Sequence, residues 1–351
     1  MLDLRLRWLV GCGGLFPGVC DPLTCRTRQA RFKLYKTTEE SIPIKEHFLD
    51  DSITQPFWDN SIEPRLEINL GDVVTFECPE PTGQVTPEWT ADRMKQWDPS
   101  LAHALIGSVY VKGAEPGDAL EVEVLDFQHK GWGWSGHIPG FGLLTEDFDY
   151  PYIHHWRLEG DTCHFGVQGI TLPFQPFCGV MGVAPAEKGR LNTIPPRSNG
   201  GNIDIRHLGR GAKVWLPTMV PGALFACGDC HSAQGDGEVC GTAVESPMTV
   251  TLRFNVRKGA NIPELQFETP APMDKLSGKG YFATTAHGPD LMENAKNAVR
   301  YMIDWLVKTK GLTPSQAYVL CSTAVDLKIS EVVDIPNFIV SAHLPLQIFA
   351  D

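Results

Sequence analysis

The sequence lacks two features that would place it at a membrane or on nucleic acid. No uninterrupted apolar run reaches the length needed to cross a bilayer. Positive charge is in the minority, with 30 Lys and Arg against 42 Asp and Glu, and the net charge is −12. A polyanion or an anionic lipid surface would be repelled by this balance. We therefore expect neither nucleic acid nor a membrane as a partner.

The sequence also lacks a second cysteine pair that could complete a zinc ribbon with Cys227-Gly-Asp-Cys230. A thioredoxin-like site should open a helix, whereas Gly228, Gly235 and Gly237 favour a continued loop. The ten cysteines are scattered over 351 residues, too long a chain for a disulfide scaffold. We expect reduced thiols and a cytoplasmic location.

The N-terminal segment 1–40 differs from the remainder of the chain. It is rich in Arg and poor in acidic residues, as in targeting leaders. A wrongly assigned translation start would give the same composition. We expect a disordered or leader-like extension outside the fold.

Alternating strands dominate the rest of the chain. Gly-Asp turns precede the strand patterns Val73–Phe76 and Ala119–Leu125, which predicts antiparallel sheets in a sandwich or barrel. Helical spacing appears late, between Asp290 as N-cap and Gly311, and again after Thr313. We predict a mainly β fold with an α+β C-terminal part. Its predicted segments are a β-rich domain over 41–260 and an α+β segment over 261–351, packed on the same core.

The stretch Gly222–Cys240 concentrates chemically competent side chains. An apolar run leads into a polar loop, and a similar polar cluster lies upstream at Asn199–Asp204. Carboxylate and imidazole groups bind Zn²⁺ or Ca²⁺, or move protons as general bases. Spacing alone does not decide between a metal site and a general base, and an ordinary solvated turn is a third alternative. The candidate residues are Asp204, Asp229, His231, Asp236 and Glu238.

A second segment is rich in aromatic residues. Trp132 and Trp134 flank a glycine and could line a pocket, because aromatic rings give rigid apolar walls. They could equally pack a loop onto the sheet. A tight pocket of this kind would favour a small ligand over larger ones.

Several segments together resemble the acetamidase/formamidase family. The most specific is Gly222–Glu245, with its core Gly228-Asp-Cys-His-Ser-Ala-Gln-Gly-Asp-Gly-Glu238. The other matching segments are Trp58–Ile62, His103–Asp118, Pro195–Asp204 and Asp326–Asn337. The resemblance runs from about Ile44 to the end of the chain. It implies hydrolysis of formamide or another short aliphatic amide to a carboxylate and ammonia. It also implies a β-sandwich with a small β-barrel in two or three interwoven subdomains, a homo-oligomer, a metal ion in some members and no organic cofactor.

The resemblance assigns no catalytic residues, so we predict the following roles from the chemistry of the side chains. Asp204, Asp229 and His231 would hold a divalent metal or a water. Glu238 would act as the general base, with His231 and Asp236 as further catalytic residues. Asn202 or Asn199 would stabilise the oxyanion. Trp132, Trp134 and Asn199 would contact the substrate. Two alternatives remain: an amidase with Cys230 as nucleophile, and a non-catalytic β-sandwich that binds a metal and a small ligand.

Overall fold

Alternation of apolar and polar residues accounts for most of the strands. A computed structural model of the protein describes residues 43–270, 278–333 and 335–350, so the predicted extension 1–40 lies outside the described residues. The strands of these ranges, in chain order, are β1 (Glu46–Leu49), β2 (Phe57–Trp58), β3 (Leu66–Ile68), β4 (Val73–Cys78), β5 (Ile106–Val111), β6 (Ala119–His129), β7 (Trp132–His137), β8 (Tyr152–Glu159), β9 (Thr162–His164), β10 (Thr171–Pro173), β11 (Phe177–Gly182), β12 (Leu191–Asn192), β13 (Gly200–Asn202), β14 (Lys213–Pro217), β15 (Phe225–His231), β16 (Met248–Arg257), β17 (Gln266–Glu268), β18 (Tyr281–Gly288), β19 (Asp326–Glu331) and β20 (Phe338–Pro345).

Two sheets face each other across the main core. One has the order β1-β4-β16-β6-β14-β17, and the other has the order β13-β11-β15-β5-β3. Phe76 and Phe254 of the first sheet meet Phe225 of the second edge to face, with ring centroids 6.0 and 5.0 Å apart. The smaller sheets are β10-β9-β8-β7, β12-β2 and β18-β20-β19. The expected barrel is not seen, because each of these sheets among the described residues keeps two edge strands.

Both late helices begin where the sequence predicts, and α2 also ends there. The helices of the described ranges are α1 (Ala91–Met94), α2 (Leu291–Lys310) and α3 (Pro314–Ala324), with single 3₁₀ turns at Pro99–Leu101 and Leu346–Ile348. Asp290 caps α2 by accepting the N–H groups of Met292 and Glu293, and Gly311 ends it at φ +63°. Thr313 and Gln316 form a reciprocal capping box on α3. None of the helices in the described ranges has the length and apolar character needed to span a membrane.

The C-terminal segment joins the same body as the strands. Helix α2 packs on β18 and β20, and residues Ile44–Asp351 form one compact unit. A single apolar cluster contains Leu252 from β16 and Met302 from α2. The α+β character of this segment is therefore confirmed, whereas the predicted boundary near residue 260 stays a prediction.

Candidate active site

The polar candidates converge on one cavity beside strand β15. The cavity has a volume of about 70 Å³. Carboxylates, a histidine and an amide make up its polar lining, and apolar side chains line the rest. The polar lining residues are Thr82, His103, Asn202, Asp204, Asp229, Glu238, Thr242 and Glu245.

Strand β15 carries two of the three predicted metal ligands, Asp229 and His231. It continues to His231, so Asp229 and His231 lie on a buried strand rather than in the loop that the glycines suggested. Asp229 has φ +52°, a conformation that is rare for a residue with a side chain. Because its backbone is left-handed, Asp229 interrupts the regular alternation of side chains between the two faces of the strand.

Backbone strain concentrates around this cavity. Eight non-glycine residues of the described ranges have positive φ, and four of them are cavity residues: His103, Asp204, Asp229 and Glu238. Each such residue costs about 1–3 kcal/mol and persists only where its surroundings fix it. Residues with such strained backbone cluster at active sites and ligand-binding sites.

His231 lies at the centre of the polar cluster. Its Nε2 is 3.0 Å from Oε2 of Glu245 and 3.4 Å from Oδ1 of Asp229. Its Nδ1 is 2.9 Å from Oε1 of Gln234, whose Nε2 donates to the carbonyl of Asp204. Since that amide is oriented by the carbonyl, Nδ1 is the donor to Oε1, and Nε2 faces the carboxylates. Burial opposes protonation of the ring, but Glu245 and Asp229 raise the pKa of His231 well above its usual value.

The carboxyl groups of the cavity differ in the direction of their pKa shifts. Burial and the neighbouring carboxylates raise the pKa of Asp204 to about 8. Burial also raises the pKa of Glu238 and of Glu245. For Asp229 burial acts in the same direction, but His103 and His231 outweigh it and lower the pKa. Carboxyl groups of unequal acidity in one cavity are typical of acid–base sites.

His103 approaches the same carboxylate from the other side. Its Nε2 lies 3.7 Å from Oδ2 of Asp229, and its Nδ1 is 3.0 Å from the hydroxyl of Thr193. Burial lowers the pKa of His103, which favours a neutral ring. Neither His103 nor Glu245 was among the predicted site residues, although both lie in segments that carry the family resemblance.

Gly179 on β11 allows the cluster to form. A Cβ at this position would lie 2.6 Å from Oδ1 of Asp204, Oδ2 of Asp229 and Cε1 of His231. Three polar side chains therefore occupy the space that any other residue would need. A glycine in a proline-rich segment is the only local signal for this role.

The geometry of the cluster fits a metal ion. Ligand atoms of Asp204, Asp229 and His231 lie within 4.8 Å of one another, and so do those of His231, Glu238 and Glu245. Oδ1 of Asp204 is buried and accepts no hydrogen bond within the described ranges. A buried acceptor without a donor is costly, and a cation would satisfy it. The mixed oxygen and nitrogen donors suit several divalent cations.

Four predicted residues do not line the cavity. His231 is one of them: it is buried and contacts the lining carboxylates of Asp229 and Glu245. The others are Asp236, Trp132 and Asn199. Asp236 pairs with Arg206 at 2.9 Å, and its N–H donates to Asp326. Trp132 packs in an apolar cluster with Trp134, and Asn199 donates from Nδ2 to the carbonyl of Val183. Their predicted roles stay predictions.

Trp134 and Asn202 do line the cavity. The indole N–H of Trp134 donates to Glu80 at 2.9 Å, which fixes the ring. Nδ2 of Asn202 donates to the carbonyl of Ile194, and its Oδ1 is buried without a donor. Nδ2, the donor expected for an oxyanion, therefore already donates to a backbone carbonyl.

Cys230 lies in the interior, outside the cavity lining. Its Sγ is 3.9 Å from Sγ of Cys178, and hydrogen bonds with Cys178 and Cys78, together with burial, raise the pKa of Cys230 well above its usual value. Cys240 does line the cavity, but burial raises its pKa to about 11. The seven cysteines of the described ranges are unpaired and buried. Thiols held in the protonated form are poor nucleophiles.

Comparison with known proteins agrees with this chemistry. The model of the acetamidase/formamidase family matches residues 44–190 and 186–351. The formamidase of Methylophilus methylotrophus is 29% identical, over 83% of this chain and 88% of its own length. The γ-lactamase from Delftia acidovorans superposes with a TM-score of 0.80 at 26% identity, over 87% of this chain and 94% of that one. The acetamidase from Bacillus halodurans superposes with a TM-score of 0.60 at 33% identity, over 86% and 97% of the two chains.

The chain therefore belongs to the acetamidase/formamidase family. It is a hydrolase that acts on linear amides, releasing a carboxylate and ammonia.

Proposed function

We propose that the cavity hydrolyses a short aliphatic amide, with Glu238 as the general base. The observation that supports this most directly is the set of four carboxyl groups around His231 whose pKa values diverge within one cavity. A group that stays ionised and a group that can be protonated near neutral pH are what amide hydrolysis needs. The first orients the water, and the second receives its proton and returns it to the leaving nitrogen.

Glu238 suits the role of proton carrier. It lines the cavity, and a ligand oxygen of its carboxylate lies within 4.8 Å of the His231 ring and Glu245. Its raised pKa means that it can hold a proton once it has taken one from water. Asp229, with its lowered pKa, remains charged beside both histidines and fixes their rings.

Asp204, Asp229 and His231 would hold a divalent cation, which we propose to be zinc or calcium. When bound, such an ion polarises a carbonyl and lowers the pKa of water. The residues themselves supply the preorganisation: Gln234 orients the His231 ring, and Gly179 leaves room for the three ligand side chains. A cation would also relieve the repulsion among the crowded carboxylates.

Asn202 would recognise the amide nitrogen of the substrate. Its Oδ1 is buried without a donor, and the NH₂ group of a primary amide is a donor of matching size. This contact would distinguish an amide from an ester or a carboxylate, because those lack the donor and would leave Oδ1 unsatisfied.

Three further features complete the proposal. We infer that the two facing sheets form the sandwich implied by the family resemblance, on the support of their aromatic contacts. A cytoplasmic location accords with the seven unpaired cysteines of the described ranges. A homo-oligomer accords with the exposed apolar side chains of Ile329 and Val333, of which 66% and 76% is accessible.

The deciding experiment measures ammonia release from formamide and acetamide by the wild type and by Glu238→Gln. We expect the variant to lose about 10²–10⁴ of kcat/KM while it remains folded, because an amide cannot accept the proton. Glu264→Gln, at an exposed position outside the cavity, is the matched control and should retain wild-type turnover. Retention of most activity in Glu238→Gln would refute its role. Chelation with re-addition of zinc or calcium tests the metal separately.

A further inference from the structure

We propose that Glu80 is a positioning residue for amide hydrolysis, which acts through Trp134 to hold Glu245 against His231. This inference rests on the proposed function, because it concerns the polar cluster around His231. Glu80 itself lies outside the cavity lining. Three observations carry the inference: the contacts of the Glu80 carboxylate, the position of Trp134 on an edge strand and the pairing of that strand with Glu245.

Glu80 is a buried carboxylate whose four hydrogen bonds all come from donors. Only 5% of its surface is exposed. Oε1 accepts from the hydroxyl of Thr82 and from the N–H groups of Gln84 and Val85, at 2.5, 2.7 and 3.0 Å. Oε2 accepts from the indole N–H of Trp134 at 2.9 Å. Burial raises the pKa of Glu80, although the four hydrogen bonds favour the charged form. A carboxylate suits this place because it accepts from four donors without offering one.

Trp134 connects this carboxylate to an edge strand beside the cavity. Strand β7 is the last strand of the sheet β10-β9-β8-β7, so one of its edges faces away from β8. The Trp134 side chain is 3% exposed and lines the cavity. Since Glu80 follows β4 by two residues, its bond to the indole fixes β7 relative to the end of β4.

The outer edge of β7 is paired with the turn that carries Glu245. The N–H of Trp134 donates to the carbonyl of Glu245 at 2.9 Å, and the N–H of Glu245 donates to the carbonyl of Trp134 at 2.8 Å. The N–H of Gly136 donates to the hydroxyl of Thr242 at 2.9 Å. Gly133 allows this close approach, since a Cβ there would lie 2.8 Å from the carbonyl oxygen of Glu245. Movement of β7 would therefore move Glu245.

Glu245 completes the series of contacts that reaches the cluster. Its Oε1 accepts from the N–H of Ala243 at 2.8 Å, and its Oε2 faces Nε2 of His231 at 3.0 Å. The distance to His231 therefore depends on the backbone of Glu245, which is paired with Trp134. Misplacement of a reacting group by about 1 Å costs about 10² in rate. The anchor at Glu80 thus sets the geometry at His231.

The test is Glu80→Gln in purified full-length protein, assayed by ammonia release from formamide. The glutamine Oε1 can keep the three donors that follow β4, but its NH₂ group would face the indole N–H of Trp134, which is also a donor. We expect kcat to fall by about 10- to 100-fold. KM should change by less than about three-fold, because the proposed amide contact, Asn202, lies outside this series of residues.

Asp72→Asn is the matched control. Asp72 is likewise a buried carboxylate that accepts N–H groups, those of Lys45 and Asn69, and it precedes the opposite end of β4, outside the cavity lining. This variant should lose stability while kcat changes by less than about two-fold. A fall of kcat in both variants in proportion to the lost stability would show a general structural effect and overturn the proposal.

Trp134→Phe tests the same link from the other side. Phenylalanine lacks the indole N–H, so kcat should fall as in Glu80→Gln, and the double variant should match Trp134→Phe within about two-fold. Multiplicative losses in the double variant would overturn the proposal. The near-UV circular dichroism of Trp134, taken as the difference between wild type and Trp134→Phe, should change in Glu80→Gln and persist in Asp72→Asn.

The outcomes separate this inference from the proposed function. Wild-type kcat in folded Glu80→Gln would overturn the inference and leave amide hydrolysis intact. If Glu80→Gln does not fold, Trp134→Phe decides, and a wild-type kcat in that variant would overturn the inference. No ammonia from any amide, with folded wild-type protein, would refute the proposed function itself.

Discussion

Substitution of Gly179 by alanine is the sharpest test of how the site is assembled. The new Cβ would lie 2.6 Å from atoms of Asp204, Asp229 and His231, whereas ordinary contacts begin at 3.4 Å, so each contact is at least 0.8 Å too short. All three side chains are cavity or ligand groups, and none can move away without leaving its partners. Gly179 is not among the residues with positive φ, so alanine adds steric conflict without backbone strain.

The expected magnitude follows from those distances. Displacement of reacting groups by about 1 Å costs roughly 10²-fold in rate, and an overpacked core costs about 1–3 kcal/mol of unfolding free energy. We therefore expect kcat/KM for formamide to fall about 10²-fold in Gly179→Ala, with a cooperative unfolding transition still present.

The assay combines ammonia release with denaturant unfolding of the same samples. Gly228→Ala is the control, because Gly228 lies on the neighbouring strand β15 and its Cβ would press at 3.2 Å on Leu105, away from the ligand groups. Comparable losses of activity in the two variants would refute the reasoning, since general overpacking would then explain both. Wild-type activity in Gly179→Ala would refute it as well.

The remaining predictions address residues whose roles the geometry distinguishes. Cys230→Ala should keep most of the activity and lose about 1–2 kcal/mol of stability, because its thiol is buried outside the cavity; inactivity of the folded variant would support the cysteine mechanism. Asp236→Asn should weaken the ion pair with Arg206 and lower the melting temperature, while kcat/KM changes by less than about three-fold. A fall of kcat/KM by about 10²-fold would instead support the predicted catalytic role of Asp236. Asp72→Asn should lower the unfolding free energy at pH 7 by about 1–3 kcal/mol, because the buried carboxylate accepts the N–H groups of Lys45 and Asn69. Burial raises the pKa of Asp72, but these hydrogen bonds outweigh burial and lower it, so the carboxylate stabilises the fold fully above about pH 4 and loses this effect on acidification. If urea titrations still show a difference in unfolding free energy between wild type and variant below about pH 2, this explanation is wrong.

Sequence patterns predicted local structure well where local chemistry determines it. The caps at Asp290, Thr313 and Gly311 fix the ends of α2 and α3, because the capping groups lie within a few residues of the N–H groups they satisfy. The strand β15 was less predictable. Its glycine and polar residues suggest a loop, but its burial between β11 and β5 overrides those local preferences.

The site itself was predictable only in part. Asp204, Asp229, His231 and Glu238 meet in space as expected, since the segments that carry them are the most specific ones. The contribution of Glu245 depends on the turn that returns it to His231, where the two residues form an isolated bridge. The role of Gly179 depends on a strand pairing between β11 and β15, which no local pattern encodes.

That pairing has a consequence for the order in which activity appears during folding. The site brings together His103 after the first strands, the turn that ends at Glu245, and Gly179 in the middle of the chain, which lies against the polar cluster. Contacts between such distant segments form late, because loop closure must precede them. Catalysis should therefore be among the last properties to return on refolding, after the strands and the apolar core. Partly folded protein, or a fragment that ends before residue 245, would have secondary structure without a working site.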